Sequence, residues 1–144
     1  MMTNATAIPY AIGIIIGVLT SLFLRTAGFD RDRAVYPTIV IVVALYYVLF
    51  AAVGGGAAMS GELAGLVIFT AGAVLGFRVN LWWAVAALAG HGVFDFFHSR
   101  LIANPGVPEW WPAFCLAADV GLAAFLAWLL LRGRLRARSG GPES

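Results

Sequence analysis

Two histidines and an aspartate, His91, Asp95 and His98, interrupt an apolar stretch at spacings of four and three residues. On a helix turning about 100° per residue, Asp95 falls near +40° and His98 near −20° from His91, so the three share one stripe. Ala84 and Ala87 extend that stripe, while Trp82, Val85, Val93, Phe96 and Phe97 fall on other faces. The pattern predicts a polar stripe turned toward neighbouring helices, with the large apolar side chains turned outward. Side chains three or four residues apart stand over one another and can hold one ion. Asp95-x-x-His98 has the carboxylate-x-x-His spacing found inside di-metal helical bundles. Glu62 and Asp119 also interrupt apolar runs, and Cys115 stands four residues before Asp119. This donor set suits zinc, iron or manganese better than calcium or magnesium. The expected metal ligands are His91, Asp95, His98 and Asp119. Asp95, Asp119 and Glu62 are the candidate catalytic carboxylates, one of them serving as base toward a metal-activated water. Two histidines on one helix cannot clamp both faces of a haem within one subunit, so haem is discounted.

Each residue also has a simpler reading. Glu62 follows Ser60 and Gly61 at a helix start, where a carboxylate favours the helix dipole. Asp95 can hydrogen-bond a neighbouring histidine or pair with Arg100, locking helices together. Glu109 reads as a solvated loop residue and Cys115 as a small buried hydrophobe. Asp119 is harder to dismiss, because a carboxylate deep in an apolar helix needs a partner. No P-loop, Rossmann glycine pattern or nucleophile elbow occurs, which gives nucleotide chemistry and serine hydrolysis no support.

The elements that must position these residues follow from composition. The chain has 144 residues, 62% hydrophobic and 11% charged, with a mean hydropathy of +0.92. A soluble domain carries about a quarter charged residues, and one this small could not hide so much apolar surface. Lipid is the solvent that accepts it. All nine basic residues are arginine, which, with abundant Ala and Gly, hints at a GC-rich bacterial genome. The net charge of +2 does not point to nucleic acid, because the arginines sit where they orient a membrane protein. With Cys115 alone, no intrachain disulfide can form.

Five apolar runs stand out, at about Ile8–Leu24, Tyr36–Val53, Glu62–Phe77, Leu81–Phe97 and Pro112–Leu131. Each approaches the roughly 20 residues that cross a bilayer as a helix, and none alternates as a barrel strand would. The expected fold is all-α, a single multi-pass bundle of five transmembrane helices followed by a basic tail over 132–144. Arg25, Arg31, Arg33, Arg78, Arg132, Arg134, Arg136 and Arg138 fall on one side, and Arg100 on the other. The positive-inside rule then puts the N-terminus outside and the C-terminus in the cytoplasm of a plasma (inner) membrane. Trp110 and Trp111 mark the outer interface, Trp82 and Trp83 the inner one. MMTNATAIPY has no basic region, so the first helix is expected to remain rather than act as a signal peptide.

Gly61, Gly65, Gly72 and Gly76 form a stripe on the third helix, and Gly13-x-x-x-Gly17 a shorter one on the first. Small residues let helices approach closely in lipid, which places the third helix centrally. A homodimer through these glycine-rich faces is the alternative. The other expected partners are the bilayer and a lipid-soluble small molecule.

The segment GHGVFDFFHSRLIANPGVPEWWPAFCLAADVGLAAFLAWLL resembles a family of small, uncharacterised bacterial integral membrane proteins. The matching features are His91, Asp95 and His98, the aromatic-proline loop Trp110-Trp111-Pro112, and Cys115 with Asp119. The resemblance covers about the last third of the chain and implies kinship and a helical membrane layout, without an activity. The His/Asp pattern also resembles membrane hydrolases of the ceramidase and progestin-receptor kind, which bind zinc through His and Asp but have seven spans. The donor set itself leads to the expected function, a metal-dependent hydrolase or oxidoreductase acting on a lipid-soluble substrate. The alternatives are a proton- or ion-coupled carrier using the same residues, and an accessory protein whose polar network only fixes packing.

Overall fold

The computed structural model describes residues 4–136; Arg138 and the rest of the tail beyond 136 lie outside the described residues, as do the first three. The described chain is helical throughout: α1 (Asn4–Ala27), a 3-10 turn (Phe29–Arg31), α2 (Val35–Val53), α3 (Met59–Arg78), α4 (Trp82–Leu101) and α5 (Trp111–Leu131). Each helix covers the apolar run expected of it, except that α4 begins at Trp82 with Leu81 as its cap, and most extend a few residues further, since flanking residues finish the terminal turns. Helix is the form that satisfies backbone hydrogen bonds within one segment of an apolar environment. Four of the five, α1, α2, α3 and α5, are long and apolar enough to cross a membrane. Their outward side chains agree: Ile12, Ile15, Leu19, Phe23, Leu49, Val67, Ile68 and Leu131 are all exposed. The stretch α4 falls short in apolar character because it carries the polar stripe and Arg100.

Local chemistry sets the joints. Gly28, at φ 79°, takes the left-handed conformation that lets the chain leave α1 without a Cβ clash. Asn80 Oδ1 accepts the Trp82 amide at 3.0 Å, satisfying a free donor at the start of α4. The Arg33 guanidinium donates to Phe77 O at 2.7 Å and Gly76 O at 3.2 Å at the end of α3, and to Arg136 O at 2.9 Å after α5. One cation thus gathers exposed carbonyls of two chain segments at the arginine-rich end.

The helix α4 is the centre of the bundle, packed against α2, α3 and α5, while α1 joins through α5. This corrects the central place expected for α3. Only 17% of the most apolar window of α3 is buried, against 39% for α5. The glycines of α3 are used in close packing, but by an outer helix leaning on the central one. A Cβ on Gly76 would stand 2.9 Å from Ala84 N and Cβ, and one on Gly72 would stand 3.1 Å from Ala87 Cβ. Gly13 and Gly17 similarly seat α1 against the backbone of α5 at Phe114 and Ala118. Both glycine faces are therefore covered within the chain.

Candidate metal centre

The polar stripe of α4 is buried along its whole length. His91, Asp95 and His98 are 0, 1 and 2% exposed, and the outward Val93, Phe96 and Phe97 are 55, 55 and 41% exposed. From α3 comes Glu62, from α5 Asp119, and from α2 a residue absent from the sequence-based set, Tyr47. All three are buried. These elements meet at the end of the bundle where α2 and α4 finish and α3 and α5 begin. The loop between α4 and α5 closes that end, and Gly106 lies so near Phe50 O that only a glycine fits.

The five ionisable residues separate into two groups. In the deeper one, His91 Nδ1 is 2.7 Å from Asp119 Oδ2 and 3.4 Å from Asp95 Oδ2. One ligand atom from each of His91, Asp95 and Asp119 lies within 4.8 Å of the others, so the three could hold a metal ion. In the outer group, His98 Nε2 is 2.7 Å from Glu62 Oε1, and Asn104 Nδ2 donates to the same oxygen at 2.8 Å. His98, expected as a ligand, is thus drawn to Glu62. The helical stripe left room for both arrangements, and the position of α3 decides between them. For the same reason Glu62 faces His98 and not the deeper group.

Tyr47 links the groups. Its hydroxyl donates to Asp95 Oδ1 at 2.6 Å, and its ring stacks on His98 with centroids 4.0 Å apart. Phe69 and Phe94 wall the rest, each with its ring packed against His91. A clue was present in sequence, because a tyrosine hydroxyl within an apolar span needs an acceptor. The neighbouring Tyr46 is 40% exposed, and the sequence did not say which of the two turned inward. Arg100 and Glu109 are exposed, and Cys115 is buried as expected.

The donor types of the deeper group are ones that could hold a metal ion. Tetrahedral zinc with ligands at about 2.0–2.1 Å separates its ligand atoms by roughly 3.3 Å; His91 Nδ1 and Asp95 Oδ2 stand 3.4 Å apart, while His91 Nδ1 and Asp119 Oδ2, at 2.7 Å, are at hydrogen-bond distance. Asp95 Oδ2 is buried and forms no hydrogen bond among the described residues. Its other oxygen is held by Tyr47, the kind of outer hydrogen bond that orients a metal-binding carboxylate. Charge calls for a counterpart, either an ion or a proton. Glu62, Asp95 and Asp119 leave a buried excess of one negative charge even with both imidazoles protonated. A bound cation, or a proton shared with one carboxylate, offsets that excess. Uncompensated charge in a dry interior is what a fold cannot tolerate.

Comparison with known proteins finds no matching family model, curated protein or solved structure. The functional reading therefore rests on the site's own chemistry.

Proposed function

We propose that this chain is a five-span protein of the bacterial inner membrane, N-terminus outside, that binds a divalent transition metal through His91, Asp95 and Asp119 near the extracytoplasmic face. The observation that carries the reading is the convergence of three buried ligand atoms, from two helices, within 4.8 Å. That α4 is also a span is supported by its course: it carries the chain from the arginine-rich end of α3 to the start of α5, and neighbours on three sides shield its polar stripe. The resemblance of the α4–α5 segment to small bacterial membrane proteins agrees with that setting.

Three protein ligands with a position left open is the arrangement of a catalytic site rather than a closed structural one. Bound zinc, iron or manganese supplies a Lewis acid and a water acidified for nucleophilic attack. Around it the protein's own groups divide the work. Tyr47 fixes Asp95, and the rings of Phe69 and Phe94 pack against His91. The Glu62–His98 pair, one helical turn toward the outer face, provides a carboxylate and an imidazole able to accept and return a proton. Metal-dependent hydrolysis of a lipid-soluble substrate is the activity best served by this set.

The competing reading, a proton-coupled carrier, is favoured by the same charge count, because without an ion one aspartate must hold a proton. Elemental analysis of protein purified in mild detergent separates them. The metal reading expects close to one equivalent of zinc, iron or manganese, lost from His91→Ala and Asp119→Asn while both variants stay folded. A metal-free wild type that takes up no metal on reconstitution sinks it. A pH-dependent transport signal abolished by Asp119→Asn would establish the carrier. Substitutions that change only the melting temperature would establish a structural network.

A further inference from the structure

Seven of the eight described arginines lie at one end of the bundle, where α1, α3 and α5 finish and α2 and α4 begin; Arg100 stands at the other end. Two aspartates share the arginine-rich end, and both are engaged. Asp30 is 1% exposed and its Oδ2 meets Arg25 at 3.2 Å. Asp32 Oδ1 accepts the Ala34 amide at 2.9 Å. Among the described residues, this end therefore keeps an excess of positive charge that no carboxylate offsets.

The tail after α5 is held against that end. Gly133, at φ 63°, takes the left-handed conformation that turns the chain out of the helix. Its amide donates to Leu130 O at 3.1 Å, and the Arg134 amide donates to Leu129 O at 2.9 Å. Leu135 then packs against the buried core cluster, and the Arg33 guanidinium holds Arg136 O at 2.9 Å. Arg132, Arg134 and Arg136 are left exposed, and none has an ion-pair partner among the described residues. Just before them on α5, Trp128 and Leu131 are 45 and 76% exposed. Trp82 and Trp83, at the start of α4, are exposed at the same end. Apolar surface thus runs up to the arginines and stops there.

We infer that the arginine-rich end is a docking surface for anionic phospholipids, with phosphate headgroups on Arg132, Arg134 and Arg136 and acyl chains along the exposed side of α5. Charge complementarity calls for an anion, and a guanidinium pairs with two phosphate oxygens at once. The level of the arginines selects the kind of anion. A phospholipid brings its phosphate to the height where apolar surface ends and covers that surface with its chains. A soluble phosphate or a nucleic acid would leave Trp128 and Leu131 bare. Seating the tail matters because surface charge reaches only about 8 Å at physiological salt, so arginines held at the bundle end stay within range of the headgroups. The inference concerns the opposite end of the molecule from the candidate metal centre and does not depend on metal binding.

The test titrates the full-length protein, in an uncharged detergent, with dioleoylphosphatidylglycerol or dioleoylphosphatidylcholine and counts retained lipids by native mass spectrometry. The two lipids share their chains, so any difference reports the headgroup. Phosphatidylglycerol should be retained preferentially. Each of Arg132→Gln, Arg134→Gln and Arg136→Gln should lower that preference about fivefold, equivalent to about 1 kcal/mol. Arg100→Gln, at the other end, should leave it unchanged. Leu135→Ser keeps every charge but frees the tail, and it too should lower the preference. Equal retention of the two lipids, no fall in the three tail variants, or an equal fall in Arg100→Gln would overturn the assignment. So would displacement of the lipid by inorganic phosphate but not by chloride at the same ionic strength, which would establish a soluble phosphate as the ligand. A preference undiminished in Leu135→Ser would overturn the seating of the tail as part of the surface.

Discussion

Replacing Tyr47 by phenylalanine removes one oxygen atom and little else, which makes it a sharp probe of the centre. The ring that stacks on His98 at 4.0 Å remains, so packing in the outer group is kept. What disappears is the 2.6 Å hydrogen bond to Asp95 Oδ1, a short bond to a carboxylate sealed from water. Bonds of this charge-assisted kind contribute about 1.5–3 kcal/mol. If its purpose is to aim Asp95 at an ion, most of that energy should appear in metal affinity. The expected loss is about 10- to 100-fold, the range for partners that orient a ligand from outside, equivalent to about 1.4–2.7 kcal/mol. The assay is competition for the metal against a chelator of known affinity, run beside thermal unfolding of the metal-free protein. Tyr47→Phe should weaken metal binding by that factor, and Tyr47→Leu, which also loses the stacking ring, should additionally lower the melting temperature of the metal-free form. Unchanged metal affinity in Tyr47→Phe, with loss of stability alone, would refute the argument that Tyr47 serves Asp95 as a ligand.

Other predictions follow from the same contacts. Glu62→Gln should leave most of the metal in place, since Glu62 bonds His98 and Asn104 rather than the deeper group; loss of metal would mean the two groups act as one. Gly76→Leu should sharply lower thermal stability in detergent, because even a Cβ meets Ala84 at 2.9 Å, whereas Gly121→Ala, with nothing within 4 Å, should be neutral or slightly stabilising. Equal melting of the two variants would argue against the α3–α4 contact. Reporter fusions after Ser144 and within the 31–34 loop should read cytoplasmic and one at Asn104 extracytoplasmic; a cytoplasmic reading at Asn104 would remove α4 as a span.

The sequence by itself determined the class of this protein and the inventory of its chemistry. Continuous apolar runs permit only helices in lipid, so the helices and their approximate limits were legible. The stripe of His91, Asp95 and His98 was legible too, because residues three and four apart share a face whatever the helix packs against. Partners across helices were not, since nothing in a one-dimensional pattern states which faces meet. His98 had equal claim to the deeper group and to Glu62 until the placement of α3 brought that carboxylate to it. Tyr47 and Tyr46 were interchangeable in sequence until the rotation of α2 turned one toward Asp95 and left the other at the surface. The glycines of α3 showed that it packs closely and could not show that it does so from outside, because close approach requires the same small residues on a peripheral helix as on a central one.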